Sequence, residues 1–181
     1  MTVPVFEDRP ETVRGRMLYQ SLLTVHALIR RDLTTVERLA AAVQDGLPAE
    51  DVHEELGKLK RNGLIWQFQV SCLSYCGFVH MHHNAEDREF FDELEETNPA
   101  IRPVVERLRA DHRKVSDHLD AVEAAARALS EDESQPARRA VAEALEVLEG
   151  DLLAHLEYEE LNIAGTARRL PDLPWMGPTS G

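Results

Sequence analysis

The stretch HMHHNAED, His80 to Asp87, puts three histidines and two acids into eight residues. It falls inside a segment, 64–96, that otherwise reads as one long helix. Apolar residues recur there at steps of three and four, the spacing that keeps side chains on one helical face: Ile65, Phe68, Cys72, Tyr75 and Val79, then Phe90 and Leu94. His82 and Glu86 fall on that same stripe. The densest imidazole and carboxylate chemistry of the chain therefore sits where a core is expected.

Working outward, polar, glycine and proline breaks at 44–48, 60–63, 97–99 and 130–136 separate four long helical patterns, predicted at 12–43, 64–96, 100–130 and 136–167. A short amphipathic piece near 49–61 is expected as an extra helix in the first connection. No two-residue turns flanked by alternating segments occur, so no sheet is expected. The fold class that follows is all-α, an up-down-up-down four-helix bundle with an irregular tail, organised as one domain over 1–170 and a Pro-rich segment over 171–181.

The other three stripes carry the same kind of interruption. The first helix reads Leu22, His26, Ile29, Leu33, Val36, Ala40, Val43. The third reads Ile101, Val105, Leu108, His112, Val115, Leu119, Val122, Ala126, Leu129, and the fourth Val141, Leu145, Leu148, Leu152, His155, Glu159, Ile163. In a bundle with short loops these mid-helix positions meet in roughly one layer. His26, His82, Glu86, His112, His155 and Glu159 are then expected to converge.

A lone histidine on an apolar face is more often a satisfied core residue than a ligand. Six ionisable groups in one buried layer are another matter, because each unpaired one costs several kcal/mol. A metal ion compensates them by favouring the carboxylate and the neutral imidazole. Four imidazoles and two carboxylates exceed the three or four protein ligands typical of one zinc and suit two borderline metals such as iron, with the carboxylates free to bridge. Manganese and zinc are the less favoured occupants.

The remaining histidines follow the same geometry. His118 is six positions from His112, about 240° round the helix, and should miss the layer. His80 and His53 are expected off it too. His83, next to the stripe and three residues before Glu86, is either a fifth imidazole ligand or a group that orients one. Asp87 is the weaker carboxylate candidate. Tyr19 and Tyr75 are expected as core aromatics, Tyr158 as a hydrogen-bond donor at the site's edge, and Cys72 and Cys76, one turn apart, as core thiols.

Composition narrows the partners. The chain has 181 residues, with 20 Lys and Arg against 33 Asp and Glu, a net charge of −13. Nucleic acid and anionic membrane surfaces are disfavoured. No apolar run approaches the ~20 residues of a bilayer span and no leader pattern opens the chain, so a cytoplasmic location is expected.

Taken in order, HALIRRDL from His26, HHNAED at 82–87, DH at 111–112 and HLEYEE at 155–160 resemble the motifs of the hemerythrin-like, HHE cation-binding domains. The resemblance covers about Arg14 to Ala167. It implies a four-helix bundle holding two non-haem iron ions, an oxo- or hydroxo-bridged di-iron centre that meets dioxygen, hydrogen peroxide or nitric oxide. Carried over by position, His26, His82, Glu86, His112, His155 and Glu159 would be ligands, Glu86 and Glu159 bridging, with His83 as a possible addition. Two departures from the oxygen-carrying members stand out: Ser116 occupies the place of their second third-helix histidine, and Glu159 follows His155 by four residues where they have an Asp at five. More exchangeable metal positions favour a redox enzyme, catalase-, peroxidase- or oxidase-like, over a carrier. The alternative is a dioxygen- or iron-binding sensor or storage module without turnover.

Overall fold

A computed structural model describes residues 9–45 and 54–172. Every regular element among them is helical: α1 Val13–Asp45, α2 Glu54–Ala85, α3 Phe91–Thr97, α4 Arg102–Glu131 and α5 Gln135–Ala167. A five-residue π-turn, Glu86–Phe90, joins α2 to α3, and a 3-10 turn, Pro99–Ile101, leads into α4. Among the described residues there are four long helices and no strand, as the stripes required.

Local chemistry sets the ends. Thr12 caps α1, its Oγ1 accepting from the Gly15 N–H at 2.9 Å while it donates to the Leu170 carbonyl. Ser134 does the same for α5 through the Ala137 N–H at 3.4 Å. Asn98 has an extended backbone that ends α3, and its side chain accepts from the Ala100 N–H.

The second helix differs from expectation at both ends. Glu54 to Gly63 belong to α2 itself, with no break at 60–63 and no separate short helix among the described residues. A mid-helix glycine costs only about 1 kcal/mol, and a long helix carries that without breaking. His53 and residues 46–52 lie outside the described residues, as do 173–181 of the tail. At the other end, the Phe91 N–H bonds the Glu86 carbonyl, five residues back. This extra residue shifts the apolar stripe by one: Phe91 is fully buried, while Phe90, where a straight helix would have put the core position, is only half-buried.

The chain forms two compact units. One comprises Ile29–Met81 and Arg113–Leu152, and its core holds Leu33, Val36, Phe68, Cys72, Tyr75, Cys76, Leu119, Val122 and Leu148. Both cysteines are buried free thiols. His118 hydrogen-bonds Asp151 there at 2.8 Å, and His80 pairs with Asp120 at 3.6 Å.

The other unit comprises Met1–Leu28, His82–His112 and Leu153–Gly181. Its apolar core gathers Tyr19, Leu22, Phe91, Leu94, Ile101, Val105, Leu108, Ile163 and Leu170. Beside it lie all the buried histidines of the described chain. One position in this unit requires glycine: a Cβ on Gly15 would stand 2.5 Å from the backbone of Arg168. The missing side chain lets α1 and the chain just after α5 touch backbone to backbone, and the Thr12 N–H bonds the Arg168 carbonyl at 3.0 Å.

Candidate metal centre

The structure brings together all seven residues singled out as candidate ligands. His26 comes from α1, His82 and His83 from the last turn of α2, Glu86 from the π-turn, His112 from α4, and His155 and Glu159 from α5. Each is buried except His82, whose side chain keeps 8% of its exposure. They fall into three overlapping clusters whose donor atoms lie within 4.8 Å of one another: His26, His82 and Glu86; His83, His112 and His155; and Glu86, His112 and Glu159.

The imidazoles form two groups with the carboxylates adjoining both. His26 and His82 meet Nε2 to Nε2 at 3.1 Å, and His112 and His155 do so at 3.2 Å. Glu86 reaches both groups, with Oε1 3.3 Å from His82 Nε2 and Oε2 3.5 Å from His112 Nε2. Glu159 Oε2 lies 3.4 Å from His26 Nε2 and 3.7 Å from His155 Nε2. Adjacent ligands on one ion with bonds of about 2.1 Å are separated by roughly 3 Å. Separations of 3.1–3.7 Å are therefore those of donors that could share ions.

The donors also lack alternatives. Both oxygens of Glu86 and of Glu159, His83 Nε2 and His155 Nδ1 are buried with no hydrogen-bond partner. Orphaned polar atoms on this scale are costly in a folded core, and a cation would satisfy the four carboxylate oxygens and His83 Nε2 together. Burial, reinforced by the charge of Glu159, holds the Glu86 carboxyl well above the ordinary range, and burial holds Glu159 above it too, against the opposing effect of His26. Burial first, then neighbouring imidazoles, holds His82 down to about 3, and burial pulls His155 down to about 4 and His112 and His83 lower as well. These four imidazoles are neutral at pH 7, the form that binds metal. The set fits a cation.

Two carboxylates fix the rings of α1 and α4. Asp87 Oδ1 lies 3.0 Å from His112 Nδ1, and Glu160 Oε1 lies 2.9 Å from His26 Nδ1. An ionised carboxylate only accepts, so each Nδ1 carries the proton and each Nε2 turns its lone pair inward. The motifs are thus reciprocal: the acid following Glu86 orients the α4 histidine, and the acid following Glu159 orients the α1 histidine. Asp87 orients a ring and lies outside all three clusters. Glu160 was missed in the sequence, although the parallel between Glu86-Asp87 and Glu159-Glu160 was there to find it.

His83, left open by spacing, is 5% exposed, with its ring stacked on His112 at 4.0 Å and 9°. Phe91 stacks on His112 as well, at 5.3 Å and 21°. The π-turn is what provides this flanking ring, since it buries Phe91 in place of Phe90. Tyr19 is buried and donates to the Glu160 carbonyl at 3.0 Å. The Tyr158 ring lies beneath the Arg107 guanidinium, 3.6 Å away.

No helix among the described residues is long and apolar enough to cross a membrane. Comparison with curated proteins and with solved structures finds no match. The family model of the hemerythrin HHE cation-binding domain matches residues 17–167, which include every residue of the three clusters. The chain belongs to the hemerythrin HHE cation-binding family.

Proposed function

We propose that the chain is a non-haem di-iron protein that reacts with dioxygen, hydrogen peroxide or nitric oxide, and that it turns such a molecule over as a redox enzyme. His26 and His82 would hold one iron, His83, His112 and His155 the other, with Glu86 and Glu159 shared. When bound, the irons would supply Lewis acidity and exchangeable electrons.

The observation that carries this reading is the unequal division of imidazoles, two on one side and three on the other, with carboxylates adjoining both. A side with fewer protein donors leaves room for an exogenous ligand, and a site closed by its own donors does not. The chain's residues do the rest. Asp87 and Glu160 hold the Nδ1 protons of His112 and His26, keeping both rings aimed. Leu22, Phe91, Leu108 and Ile163 exclude water from the adjoining core.

The test is peroxide consumption by iron-loaded protein. Loss of many equivalents per chain is the expected result. Uptake of one equivalent of dioxygen, released under vacuum and without peroxide turnover, would overturn the enzymatic reading in favour of a binding or sensing module.

A further inference from the structure

On the His82 side of the centre, residues of α1, α2, the π-turn and α3 line an open cavity of about 340 Å³. Buried Leu22 and Glu86 lie at its base, and half-buried Leu18, Val25 and Phe90 line its sides. Exposed Ser21, Ala85 and Glu89 mark its mouth. Pockets for organic ligands run from ~300 to ~1,000 Å³, whereas a water-sized molecule takes ~30 Å³ of liquid. The cavity is about tenfold too large for a diatomic gas or peroxide alone.

The charges around it have one sign left over. Arg14 and Glu93, both in the lining, pair through two contacts, the second of them Nη2 to Oε2 at 2.9 Å. Arg14 also donates to the Pro171 carbonyl at 3.1 Å. The guanidinium is therefore already engaged, and the pair is neutral. Glu89, one turn beyond Glu86, has no hydrogen bond or ion pair among the described residues. The mouth thus presents one uncompensated carboxylate above apolar walls.

We propose that this cavity binds a small organic amine. Its ammonium group lies on Glu89, its apolar body contacts Leu18, Val25 and Phe90, and its far end approaches His82 and Glu86. The site goes beyond the reaction proposed above and does not depend on it, because every contact named is to the protein.

Benzylamine, benzyl alcohol and benzoate share one ring and differ in charge, so calorimetric titration of metal-free protein at pH 7 tests the assignment. Benzylamine should bind about fivefold tighter than the alcohol, the scale of an exposed ion pair, and benzoate should bind weakest. Glu89→Gln should bring benzylamine to the level of the alcohol and leave the alcohol unchanged. Val25→Trp, checked for fold by circular dichroism, should abolish binding of all three, with Ser21→Trp as the replacement if it misfolds. No binding of any probe, preference for benzoate, or indifference of benzylamine to Glu89→Gln would overturn the proposal. Binding to metal-free protein separates this outcome from any failure of the di-iron reading.

Discussion

Glu160 Oε1 stands 2.9 Å from Nδ1 of His26, while Nε2 of the same ring stands 3.4 Å from Glu159 Oε2. Neighbouring residues of α5 thus hold opposite ends of one α1 imidazole, one setting its proton and the other sharing its inward side. Glu160→Gln can accept through its amide oxygen but without charge, so the ring keeps its place and loses basicity. Iron affinity should fall by about 10- to 100-fold, the usual cost of removing a carboxylate behind a ligand histidine. Asp87→Asn should do the same through His112. Chelator competition checks both, and wild-type affinity in either variant would contradict this role.

Alanine at His112 or His155 removes an Nε2 donor outright. Iron per chain should drop in each variant with helicity retained by circular dichroism. Full occupancy in either would exclude that residue from the ligand set.

Much of this is legible in the sequence. His26, His112, His155 and Glu159 fall on apolar stripes of straight helices, where position alone decides burial, and all four are buried. Two features were hidden because they depend on backbone register. The π-turn moves the core position from Phe90 to Phe91, and no local residue pattern announces it. Glu160 lies one residue off its stripe, and the approach of α1 sets it against His26. The break expected at 60–63 failed because Gly63 is a weak breaker inside a long helix, which tertiary packing overrides.

The glycines give a test of packing. Gly15→Ala places a Cβ 2.5 Å from Arg168 backbone, so it should lower stability by about 1–3 kcal/mol or more. Gly77 and Gly150 are helical, with nothing within 4 Å of the added carbon. Alanine at either should raise stability by about 0.5–1 kcal/mol. Thermal denaturation checks the opposite signs; equal effects at all three would contradict the close approach at Gly15.

Acid should destabilise the metal-free protein. His82, His83, His112 and His155 have lowered folded values, so below about 6.5 the unfolded chain binds more protons and stability falls as pH drops. Glu86 and Glu159, with raised folded values, act in the opposite direction above about 4.5. Four histidines outnumber two carboxylates between those limits. The melting temperature in chelator should be lower at pH 5 than at pH 7, and an unchanged or higher value would contradict these neutral imidazoles.

The most direct test of the di-iron centre is elemental analysis of protein made without an affinity tag. About two irons per chain is the result expected from two imidazole groups with carboxylates shared between them. One metal, none, or stoichiometric zinc would contradict the dinuclear iron centre and the redox chemistry proposed for it.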